Sequence, residues 1–135
     1  MYTAEVRAFL HLTLVARMSV IDFDGFPHTV PVSWIMDGED AIITTVRSTR
    51  KVAYIRANPK GSLTVGGDYT DRAGYLLKGT YHIEEDPGLV WLRRTAAHYH
   101  PDDPEGAERI FAEFVDKDMI ILRFKVLRVL TVYKG

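Results

Sequence analysis

The 135-residue chain contains no cysteine, which removes disulfides, thiolate nucleophiles and cysteine-held zinc from consideration. It also lacks any apolar run near the roughly 18 residues that a membrane span requires. The start, "MYTAEVRAFL", has no basic stretch followed by an apolar core, so no secretory leader is expected. A strong net charge is missing too. The formal value is −1, which gives the chain as a whole no electrostatic hold on nucleic acid. Neither a Ser-His-Asp arrangement nor a spaced carboxylate pair suggests hydrolysis, and no single residue stands out as catalytic. There are no repeats, low-complexity tracts or long linkers. One domain over residues 1–135 is therefore expected, in a cytoplasmic protein with no membrane or nucleic-acid partner.

What the chain does have is a local concentration of positive charge. Residues 41–67 hold Arg47, Arg50, Lys51, Arg56 and Lys60 and no acid at all. Within them "TTVRSTRK" packs the hydroxyls of Thr44, Thr45, Ser48 and Thr49 among the cations Arg47, Arg50 and Lys51. A charge cluster in isolation is most simply a solvated face. Interleaved hydroxyls argue for something more specific.

Periodicity locates the cluster. "TAEVRAFL" reads as a short helix capped by Thr3, and from Leu12 to Val20 the apolar residues alternate as on a half-buried strand. "DFDGFP" turns the chain. Val30, Val32, Trp34 and Met36 continue as a second strand, and "AIITTV" follows "DGED" as a third. "STRKVAYIRANP" changes to a helical spacing ended by Asn58-Pro59. Two more strands, two helices and a long final strand complete the order. That last strand loses its phase near Leu127, the mark of a bulge or of a bend at a barrel corner. The expected fold is mainly β with α: a six-stranded, mostly antiparallel small barrel with flanking helices.

The basic cluster thus spans the end of a strand and the first turn of a helix. A helix N-terminus carries about half a positive charge and favours acids, by about 0.3–1 kcal/mol each. Here Arg50 and Lys51 occupy that turn, behind Thr49 as the expected cap. An anion would reverse the penalty, because backbone N–H groups, hydroxyls and cations would converge on it. A bound phosphate group is the expectation. The glycines of a Walker loop are absent, so side chains must do most of the cradling.

"TTVRSTRKVAYIRANPKGSLTV" resembles the strand–helix–strand signature of the pyridoxamine 5′-phosphate oxidase-like flavin-binding split barrels. Thr45, Thr49 and Lys51 match its Thr, Ser/Thr and Lys positions, and Asn58-Pro59 falls at the expected distance. "DFDGFPHTVPVSW" is similar to the family's first hairpin, and "LLKGTYHIEEDP" to the strand leading into its later helix. The resemblance implies that Thr45, Thr49, Arg50 and Lys51 hold the phosphate of FMN, with Arg47 and Ser48 as additional donors. It implies that Val32 and Ser33 border the isoalloxazine ring. It also implies a homodimer with each cofactor at the subunit interface. The true oxidases place an Arg and a Lys where this chain has Val30 and Ile35, and their C-terminal W…R motif is missing. The resemblance is accordingly to the small reductases of the superfamily, some using FMN and others the deazaflavin coenzyme F-420. The expected function is an FMN-binding oxidoreductase acting on a small organic substrate. An F-420-dependent reductase and a non-catalytic flavin- or haem-binding module are the alternatives. In "HYHPDD", His98 and His100 lack any partner motif, so no metal site is expected.

Overall fold

A computed structural model describes residues 1–134. Seven strands form one antiparallel sheet: β1 (Ala16–Ile21), β2 (Pro27–Val32), β3 (Ile35–Asp37), β4 (Asp40–Val46), β5 (Lys60–Gly66), β6 (Ala73–Glu85) and β7 (Met119–Lys134). Their spatial order is β2-β1-β5-β6-β7-β4-β3. Consecutive strands β2 and β3 therefore lie at opposite edges, and the sheet coils into an open barrel whose two edges are joined by Ser33-Trp34. Four α-helices accompany it: α1 (Ala4–Leu10), α2 (Arg50–Ala57), α3 (Val90–Tyr99) and α4 (Pro104–Phe114). None of them is long and apolar enough to cross a membrane.

The expected count was six strands. The extra one arises because the run from Val30 to Met36 is two strands, broken at Ser33-Trp34. Alternation continues straight across the break, so the pattern hides it. Trp34 holds the break closed. Its ring is fully buried, and its Nε1–H donates to the Leu14 carbonyl at 2.8 Å. The first strand also starts later than expected, at Ala16 rather than Leu12, whose side chain is exposed.

The concave face of the sheet supplies one core. Met18, Ile43, Leu63, Leu77, Leu122 and Phe124 meet there, and Val52 and Ile55 of α2 plug one end. Residues of opposite parity face outward. Of these Ile35, Ile42 and Ile121 form a smaller cluster under Trp91 of α3. Two-residue periodicity thus divides each strand between an inner core and a helix-covered outer patch.

The expected bulge is present. Lys78 pairs with Arg128 but Gly79 with Val126, which leaves Leu127 as the extra residue of β7. A second irregularity separates Gly74 from Tyr75. Gly79 has to be glycine at this point, because a Cβ there would collide with the Lys125 carbonyl across the pair.

Strand β6 passes into α3 through a 3-10 turn at Pro87–Leu89. Asp86, itself buried, accepts hydrogen bonds from the backbone N–H groups of Trp91 and Leu92, both at 3.1 Å. This satisfies the first turn of α3 and fixes where the helix lies. α4 then folds back on α3, with the Arg93 guanidinium 3.8 Å from the Phe111 ring and 2.6 Å from Glu108.

Candidate functional site

The sheet does not close evenly. β3 pairs with only the first three residues of β4, Asp40 to Ile42. Beyond them the end of β4 faces the end of β2 across an opening, and α2 and the α3–α4 pair border it. A cavity of about 430 Å³ fills this opening, within the usual range for small-molecule sites.

Six of the nine residues singled out in the sequence line it: Val32, Ser33, Thr44, Thr45, Thr49 and Lys51. Arg47, Ser48 and Arg50 do not. Ser48 and Arg50 are exposed on the far side of the turn. Arg47 has a different employment. Its guanidinium bonds both Glu85 oxygens at 2.6 and 2.8 Å, and both Asp118 oxygens at 2.8 and 3.2 Å. The Arg47 backbone N–H also donates to the Asp118 carbonyl at 2.9 Å. Four carboxylate contacts raise the affinity of this guanidinium for its proton and hold the carboxyls of Glu85 and Asp118 below their ordinary range. The sequence counted no acid near Arg47; the fold brings two from β6 and from the turn before β7. Arg47 therefore clamps the turn rather than facing the cavity.

Thr49 occupies the cap position of α2, but it does not cap. Its hydroxyl donates backward to the Val46 carbonyl at 3.0 Å and accepts nothing from the helix. The first turn of α2 consequently keeps unsatisfied N–H groups with no acid nearby. Thr45 lines the cavity wall with little of its surface exposed. Lys51 is half-buried. No carboxylate lies within salt-bridge distance of it among the described residues, and desolvation lowers its pKa. A half-buried ammonium with no carboxylate partner, beside open backbone N–H donors, is an arrangement complementary to an anion.

The opposite wall was not anticipated. Leu92, Thr95, Ala96, Tyr99 and His100 of α3 and its C-terminus, with Ile110 and Phe114 of α4 and Met119 of β7, complete the cavity. Tyr99 also ties α3 to the break between β2 and β3. Its hydroxyl accepts from the Trp34 N–H at 3.2 Å and shares its proton between the carbonyls of Leu14 at 3.0 Å and Trp34 at 3.2 Å. Burial pushes its pKa upward. The sequence signal for this wall was the apolar spacing of the two helices, which reads equally well as ordinary packing.

A barrel split between its edge strands, with a basic strand–helix turn beside the split, is the architecture the resemblance implied. The pyridoxamine 5′-phosphate oxidase family model matches residues 2–133. The chain belongs to that family. Among solved structures, an F-420 reductase superposes with a TM-score of 0.73 at 18% identity, over 92% of this chain and 94% of that one. A conserved hypothetical protein from Mycobacterium tuberculosis gives 0.77 at 21%, over 97% and 84%. The HupZ protein of Group A Streptococcus gives 0.69 at 18%, over 100% and 97%. At these identities the likeness is one of fold. No curated protein matches the chain. Membership of the family sets the fold.

Proposed function

We propose that the chain is an oxidoreductase that binds FMN in this cavity, with the phosphate on Lys51, Thr45 and the open first turn of α2, beside Thr49, whose hydroxyl would have to turn from the Val46 carbonyl to join them. The observation that carries the reading is Lys51, a half-buried cation with no carboxylate partner among the described residues, at a helix end with no acid. A phosphate dianion offsets the desolvation of Lys51 and accepts from the unsatisfied N–H groups at once. Val32 and Ser33 at the end of β2 border the remaining volume, where a flat ring would lie against backbone and apolar side chains. A bound flavin supplies hydride transfer. The chain's task is to hold and orient it, and to exclude water with Leu92, Ile110 and Phe114. The functional protein is a homodimer, and exposed apolar residues on β7 support this.

The deazaflavin F-420 is the second reading, supported by the likeness to an F-420 reductase. It presents a phosphate to the same residues. Mass spectrometry of the cofactor released from purified protein separates the two. In titration with FMN, Lys51→Ala should weaken binding at least tenfold, whereas Arg50→Ala should change it less than threefold because Arg50 is exposed outside the cavity. Equal affinity of Lys51→Ala and wild type for FMN and for inorganic phosphate would remove the assignment.

A further inference from the structure

The two walls of the cavity differ in hydrogen-bonding sense. On the α2 side, Lys51, Thr45 and the helix N–H groups are donors. On the helical side the donors are already engaged. The Thr95 hydroxyl donates to the Trp91 carbonyl at 2.8 Å, and Tyr99 directs its proton at the Leu14 and Trp34 carbonyls. His100 lies 3.0 Å, through Nδ1, from the Ala96 carbonyl. A carbonyl only accepts, so Nδ1 carries the proton, and in the neutral ring Nε2 is left as a bare acceptor. Nε2 has no partner among the described residues. His100 lines the cavity, as do Leu92, Ile110 and Phe114. This wall is therefore largely apolar, with acceptors in the His100 ring nitrogen and the Thr95 hydroxyl oxygen and no free donor.

We propose that His100 is the specificity residue of the cavity, and that it selects a compact, mainly apolar molecule bearing one O–H or N–H donor, such as a phenol or a hydroquinone. This deepens the small-molecule reading of the cavity given above and rests on it. A ligand carrying only acceptors would oppose lone pair to lone pair at Nε2, and a pure hydrocarbon would leave Nε2 desolvated and unpaired. A hydroxyl removes both penalties. The donor and acceptor walls then have separate duties: one holds the cofactor's anion, the other reads the substrate's polar group.

The test uses 4-cresol and toluene, which differ by one hydroxyl, at a pH where the ¹⁵N shifts report a neutral His100 ring. Wild type should bind 4-cresol about tenfold more tightly than toluene, near the upper range for one neutral hydrogen bond. His100→Leu should abolish that preference while binding toluene at least as well. His100→Gln, which restores an acceptor, should recover part of it. Saturating 4-cresol should move the Nε2 resonance of wild type, and toluene should not. Absence of any preference in wild type, an undiminished preference in His100→Leu, or an unmoved Nε2 resonance overturns the proposal. Weaker FMN binding in His100→Leu with cresol preference intact overturns it as well, since His100 would then read the cofactor. The phosphate assignment stands or falls separately, because neither probe carries an anion and Lys51→Ala should leave the cresol preference unchanged.

Discussion

Lys51 illustrates how a residue can be unfavourable for the fold and necessary for the site. Half-buried and unpaired, it holds its proton less tightly than an exposed lysine because desolvation penalises the ammonium. A lowered folded-state pKa means that the charge opposes folding at neutral pH, and that the opposition fades as pH rises through the folded value. Replacing it with an isosteric apolar side chain should then help the ligand-free protein. Lys51→Met is expected to gain about 0.5–1 kcal/mol in ligand-free stability, a few degrees in Tm, and to lose FMN binding. Bound phosphate acts in the opposite direction and restores the ammonium. Phosphate affinity in wild type should accordingly fall with alkaline pH below the ordinary lysine value of about 10.4. Calorimetry with and without FMN checks both signs; a Lys51→Met protein less stable than wild type without ligand would contradict the account.

At the scale of elements, the turn from β4 into α2 is held by its clamp rather than by its cap. Arg47 joins the end of β4 to the end of β6 and to the start of β7, through Glu85 and Asp118. Those acids lie 38 and 71 residues further along the chain. No local pattern reveals them, which is why Arg47 read as an anion ligand in the sequence and sits outside the cavity in the fold. The hydroxyl positions Thr45 and Thr49 were legible because they follow strand parity and the helix start, both local properties. The helical wall with His100 was not, since its place depends on how α3 docks against Ile35, Ile42 and Ile121. The clamp has a pH signature. Hydrogen bonds from Arg47 depress both carboxyl pKa values, so its contribution is complete above their unfolded values, near pH 4, and is lost as pH falls through the folded ones. Thermal melts of wild type and Arg47→Gln should differ most above about pH 5, beyond the unfolded carboxyl values, and converge as pH falls through the depressed folded ones. A Tm gap that stays constant across that window would show that the clamp is not electrostatic.

Over the whole molecule, strand alternation was enough to expect a small antiparallel barrel, including the loss of phase at Leu127, and the family resemblance added that it is split. It could not show the jump of the chain between sheet edges at Ser33-Trp34, where the buried Trp34 keeps the strand parity while the partner changes. The same bulge has a consequence for assembly. Past Leu127, β7 runs on for seven described residues alongside β6 alone, and β4 pairs no further than Phe124. Leu127, Val132 and Tyr133 are 65%, 58% and 43% exposed there. Clustered apolar exposure of this kind on one strand is a common mark of an interface. A second copy of the chain covering β7 would bury it. Sedimentation at micromolar concentration should therefore return a dimer mass, and Leu127→Lys with Val132→Lys should return a monomer that keeps its strand content. If the dimer lies here and completes the cofactor site, that double variant should also bind FMN at least tenfold more weakly, although neither residue lines the cavity. A monomeric wild type would refute the assembly, and a variant that is monomeric with undiminished FMN affinity would confine the site to one subunit.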